Sequence, residues 1–415
     1  MDIIMTVKSI FFLCLLGASL SRLPNLDITK SYTTEPTSCP QSYFMKFIPQ
    51  GYPVEQHEIL TDDGFKLNVF RIQAKGSRMK PGLHPVLIQH GLDDSALTWL
   101  MNSEQKSIAF ILANQGYDVW LGNNRGNKFS REHIKYTQSQ TAFWDFSFQD
   151  MGQFDVPSTI NKIRQESGAS KITIIGHSQG TSQMFAALSD PVVRHKVAPF
   201  VDTFHAFAPV IYLSSTELMG FKLAKWFYWA LNPASSTLHL THFMLGKCDF
   251  DESTIAKFQK KCSIDKCDYF KNTDPHPETV NYEAYGWESN THPAGISMKS
   301  IVHYAQFINQ NKIKPAFRKF DYGSKAKNME KYGQADTPMF PLEDITNRVV
   351  LYLGDSDTVA DIADSSSIAA KLTNAQVEVK MMRNWGHMSF VMPINGNVFY
   401  SSIGNDIKMR LNAHK

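Results

Sequence analysis

Beyond its first twenty positions the chain has no run of about 18 uninterrupted apolar residues, so no membrane-spanning helix is expected in the mature protein. An excess of charge of one sign is missing too. Lys and Arg total 42 against 39 Asp and Glu, and a net charge of +3 gives nucleic acid no electrostatic footprint. The Gly-rich loop 122–130 lacks the spacing of a phosphate loop, which argues against nucleotide binding. Internal repeats, low-complexity tracts and N-x-[ST] sequons are absent. Cysteine is scarce, at five in 415 residues. Without paired C-x-x-C spacing, Cys248, Cys262, Cys267 and His242 make a poor zinc site. We expect neither a metal nor an organic cofactor.

What is present starts with Lys8 and a short apolar run, residues 10–20, followed by small residues around Ser19 and Ser21. That run is too short for a comfortable span and reads as a cleaved secretory signal over residues 1–21. The expected destination is the secretory pathway, either secretion or the lysosomal lumen. Cys14 leaves with the signal. Cys39, Cys248, Cys262 and Cys267 remain and allow three pairings; the clustering of the last three argues for one local disulfide and a leftover thiol. The sequence leaves the oligomeric state open.

An extended arm, 22–50, leads into the first part of the core, 51–211. Residues 54–60 and 65–72 flank Thr61-Asp62-Asp63-Gly64 as a β-hairpin. Strand and helix patterns then alternate at short spacing to about residue 210, as in a parallel sheet with right-handed crossovers. The dense aromatic patch 143–148 reads as packing rather than a ligand box. Between 212 and 338 the alternation stops, and a mainly helical cap or lid insertion is expected, including an almost wholly apolar helix over 218–231. Such a helix could line an acyl-chain cavity or simply pack on the main domain. The second part of the core, 339–415, resumes with a strand at 349–353, a helix over 358–372, a strand at 377–381 and a closing helix.

The chemistry centres on residues 171–180. Ile172-Thr173-Ile174-Ile175 reads as a strand, Gly176-His177-Ser178-Gln179-Gly180 as a sharp turn, and the Ala-rich stretch after it as a helix. This is the G-x-S-x-G nucleophile elbow in the strand, turn and helix context its mechanics require. A serine at an ordinary helix N-cap is the plainer alternative. Two later strand ends decide against it: Asp357 follows one and His387 the other, in the order Ser, Asp, His of the α/β-hydrolase triad. Asp357 is preferred over Asp355 and Asp361. In this scheme Ser178 attacks an ester carbonyl, His387 moves the proton, and Asp357 fixes the imidazole tautomer. His90-Gly91-Leu92, just past a buried strand, swings over the same sheet edge, so the backbone N–H groups of Leu92 and Gln179 are the expected oxyanion hole.

The motifs together resemble the acid lipase family, which includes gastric and lysosomal acid lipases and related steryl-ester hydrolases. The likeness runs from about residue 50 to 395 and is carried by His90-Gly91-Leu92, by Tyr117-Asp118-Val119-Trp120-Leu121-Gly122-Asn123, and by Arg125-Gly126-Asn127. Phe143-Trp144, Phe154-Asp155-Val156-Pro157, the elbow with His177 and Gln179, Pro293-Ala294-Gly295 and Asp357 with Ala360-Asp361 complete it. The resemblance implies an α/β-hydrolase fold with a mobile cap and hydrolysis of triacylglycerols or sterol esters at low pH, at a lipid–water interface. The chain departs from the family's pattern at Ser389, where an acidic residue is usual, and at Asp93, where an apolar one is usual. Two other functions fit the scaffold: a catalytically silent lipid-binding or transfer protein, and an esterase or thioesterase for soluble short-chain substrates. Acid operation makes a further demand, because an Asp partner tends to raise the pKa of a base that must be neutral to act. Burial or nearby positive charge would have to hold it down.

Overall fold

The computed structural model describes residues 38–216, 241–243, 246, 248, 273–281, 284, 291–308 and 315–413. The expected signal 1–21, the apolar helix 218–231, Cys262 and Cys267 lie outside the described residues.

The expected hairpin is present as strands β1 (Val54–Leu60) and β2 (Phe65–Ile72), paired antiparallel from Val54 with Ile72 to Leu60 with Lys66. Next come β3 (Pro85–Gln89), β4 (Asp118–Leu121), β5 (Glu132–His133), β6 (Ile172–His177) and β7 (Val201–Phe207). A separate two-stranded ribbon joins β8 (His242–Phe243) to β9 (Ile296–Ser297), and the main sheet ends with β10 (Arg348–Gly354) and β11 (Gln376–Met382). The main sheet runs β1-β2-β4-β3-β6-β7-β10-β11, with the short β5 paired to β2. From β4 to β11 every pairing is parallel. β3, β6 and β7 are buried along their whole length, as strands covered on both faces must be. β11 has one free edge and alternates partly buried with exposed residues.

Helices α1 (Ile108–Asn114), α2 (Val156–Ser167) and α3 (Gln179–Ser189) lie between the strands of the alternating stretch. Pro157 sits in the first turn of α2, directly after the π-helical turn Met151–Asp155. The expected helix over 358–372 is instead a short helix, Ile362–Ser365, followed by a 3-10 turn, Ser366–Lys371. The difference lies at Asp361, whose extended ψ of 143° delays the helix and whose carboxylate caps it by accepting the Ala363 N–H, while Ser367 Oγ donates to the Asp364 carbonyl where the 3-10 turn takes over. A closing helix, Gly396–Ala413, ends the described chain.

The aromatic patch does pack. Phe148 lies 4.2 Å from the ring of His303 and 5.6 Å from Phe317, so it anchors the insertion helix Met298–Ile308 to the core. Arg125 is buried between Asp63 and Asp155, at 2.6 Å from each. Cys248 takes no part in the expected local disulfide, a correction: it pairs with Cys39, 209 residues away in sequence. Sequence clustering measures only the cost of closing a loop, whereas here the fold brings the arm and the insertion together. Cys248 is thereby removed from any zinc set.

Candidate active site

β6 delivers Ser178 to the C-terminal edge of the sheet and α3 begins on the next residue. The turn forces Ser178 to φ 52° and ψ −119°, a left-handed conformation that costs a non-glycine residue about 1–3 kcal/mol. Its N–H donates to the Phe207 carbonyl at 3.1 Å, pinning the bend to β7. Gly180 is required by close approach, since a Cβ there would lie 2.5 Å from the Gln89 carbonyl oxygen. The elbow is thus wedged against the end of β3, where His90-Gly91-Leu92 begins.

Ser178 Oγ and His387 Nε2 are 2.9 Å apart, and His387 Nδ1 is 2.9 Å from Asp357 Oδ2. The other Asp357 oxygen accepts the Val359 and Ala360 N–H groups at 2.8 Å each. His387 and Asp357 are buried, while Ser178 remains partly accessible. Burial alone would lower the pKa of His387. The charge and hydrogen bond of Asp357, with Asp274 behind it, raise it above the ordinary histidine value.

Leu92 is half-buried and Gln179 buried, and neither backbone N–H donates a hydrogen bond among the described residues. The structure therefore brings all five expected residues into one locality: Ser178, His387 and Asp357 in a hydrogen-bonded chain, with Gln179 at the start of α3 and Leu92 on the loop beside the elbow. No group of three or more candidate metal ligands occurs among the described residues.

Three side chains around the site were not assigned roles from sequence. His177 is buried and its Nε2–H donates to the His387 carbonyl at 3.0 Å; burial first, and the neighbouring His387 second, push its pKa well down, so it stays neutral. Asp93, at φ 61°, accepts the Ala294 and Gly295 N–H groups at 3.0 and 3.2 Å, tying the Leu92 loop to Pro293-Ala294-Gly295 of the insertion. Burial pushes its carboxyl up to about 7 against the pull of those N–H groups, Lys128 and Arg131. Asp274 is buried against the His387 loop and accepts from Ser389 Oγ at 2.7 Å. His177 and Asp93 adjoin motif residues and could have been suspected. Asp274 is 115 residues from Ser389 in sequence, and no spacing rule links them.

The family model described as "alpha/beta hydrolase fold" matches residues 84–392, and "Partial alpha/beta-hydrolase lipase region" matches residues 46–103. Gastric triacylglycerol lipase of Rattus norvegicus is 33% identical over 349 residues, covering 82% of this chain and 85% of its own. Lipase member K of Mus musculus is 31% identical, covering 82% of this chain and 84% of its own. Among solved structures, a soluble variant of monoglyceride lipase from Saccharomyces cerevisiae, in complex with a substrate analog, superposes with a TM-score of 0.52. That pair is 15% identical over 88% of this chain and 96% of the other, a likeness of fold.

Proposed function

The chain belongs to the α/β-hydrolase lipases, a family of ester hydrolases, and from that premise we propose that Ser178, His387 and Asp357 are its catalytic triad and that it cleaves lipid esters through an acyl-enzyme. The observation that carries this reading is the unbroken hydrogen-bond chain from Ser178 Oγ through His387 to Asp357. In the first half-reaction Ser178 Oγ attacks the ester carbonyl while His387 Nε2 takes its proton. The imidazolium then protonates the departing alcohol, and Asp357 stabilises the charge and holds the tautomer. Water, activated by the same imidazole, hydrolyses the acyl-enzyme in the second half. The N–H groups of Leu92 and Gln179 receive the developing oxyanion, a role in which one donor is worth about 2.7–4 kcal/mol.

Triacylglycerols and steryl esters are the proposed substrates, supported by the curated relatives named for triacylglycerol hydrolysis. A secretory destination is supported by the Cys39–Cys248 disulfide, because such bonds persist in oxidising compartments. Ser178→Ala, assayed on emulsified triacylglycerol and steryl ester alongside dissolved short-chain ester, is expected to lose turnover by at least about 10³-fold while keeping its fold. A variant that retains most activity overturns the assignment. Preference for the dissolved ester would move the substrate class to soluble esters.

A further inference from the structure

The loop that carries His387 is held from outside the two halves of the core. Three consecutive N–H groups, those of His387, Met388 and Ser389, all end on two adjacent residues of the insertion. His387 N donates to the Thr273 carbonyl at 3.0 Å, and Met388 N and Ser389 N donate to the Asp274 carboxylate at 3.0 and 2.9 Å. Ser389 Oγ adds a third bond to that carboxylate at 2.7 Å. Contact is close enough that a Cβ on Gly386 would lie 2.4 Å from the Thr273 carbonyl oxygen. Further along the same segment, Thr279 Oγ1 meets Ser389 Oγ at 3.0 Å, and Asn281 N donates to the Met392 carbonyl.

We propose that Asp274 is a positioning residue for the hydrolase reaction, fixing the loop that aims His387 at Ser178 and setting a second negative charge behind the imidazole. The proposal rests on the triad reading above. Asp274 has no solvent exposure, and a buried carboxylate is costly unless donors and a counter-charge meet it. Three donors are in place. The charged groups facing it are Asp357 and His387: burial first, with Asp357 adding to it, raises its pKa, while the Ser389 and Met388 donors and His387, once protonated, favour the carboxylate. Half-buried His276 and exposed Glu278, on its own segment, are paired with each other. The carboxylate is therefore best compensated when the imidazolium forms during proton transfer, and that interaction strengthens towards the transition state.

Asp274→Asn separates charge from shape, keeping one acceptor oxygen and the side-chain volume. Its measurement is the pH dependence of kcat/KM, together with the rate at which a fluorophosphonate labels Ser178. Loss of the negative charge favours neutral imidazole, so the acidic limb is expected to move to lower pH by about 0.5 unit. Misalignment of the loop is expected to lower the plateau about tenfold. Asp274→Ala should lower the plateau further. An Asp274→Asn protein with an unchanged limb and plateau overturns the proposal, as does a lowered melting temperature without any movement of the limb. Failure of the unsubstituted protein to label at Ser178 overturns the triad reading as well.

Discussion

His387 receives opposing instructions: burial favours its neutral form, while two carboxylates favour its charged form, and the carboxylates prevail. A base whose pKa lies above the ordinary histidine value is protonated, and idle, at every pH well below it. The acidic limb of kcat/KM is therefore expected above about 6.5, giving best activity at neutral pH or higher. A profile measured from pH 4 to 8 that is already flat by pH 5.5 would contradict this. The low-pH hydrolysis implied by the family resemblance would need the opposite balance at His387. At this scale Ser178, Asp357 and His387 could be proposed from sequence because each follows a strand pattern, an apolar run before Ser178 and Asp357 and a mixed polar–apolar one before His387. The second carboxylate could not, because Asp274 reaches the site only through tertiary packing.

Elements carry the site by being wedged rather than merely adjacent. β6 and α3 meet at a strained serine, the end of β3 is packed against Gly180, and Asp93 ties the Leu92 loop to the insertion. Beneath this edge Arg125 joins the hairpin turn to the start of α2 through Asp63 and Asp155. The guanidinium is held charged, and burial pushes Asp155 up to about 6 even with Arg125 beside it. Arg125→Met leaves that carboxylate buried without its counter-ion, and we expect a loss of about 3–5 kcal/mol in stability, read by denaturant titration. Strands and hairpin were legible because a period of two or an unbroken apolar run survives any tertiary context. The helix over 358–372 was not, because Asp361 is held extended and caps a shorter helix, a break that no period in the sequence marks.

For the molecule as a whole, the one described covalent crosslink ties the arm before β1 to the insertion after β7. Replacing Cys39 and Cys248 by Ser is expected to cost about 2–4 kcal/mol of stability. Fluorophosphonate labelling of Ser178 below the melting transition should continue, because neither cysteine touches the triad. Labelling lost while the fold persists would show that the crosslink also shapes the site. The long-range pairing was hidden because proximity in sequence is a weak guide once a sheet has brought distant segments together.

The sheet order adds something about time. β6 and β7 come from the first half of the chain, while β10 and β11, which end near Asp357 and His387, come from the last. Ser178 is thus synthesised 209 residues before His387, its proton acceptor in the proposed triad, and β3, β6 and β7 are all made before that residue exists. With the triad as proposed, the chain holds no complete active site until His387 has been made.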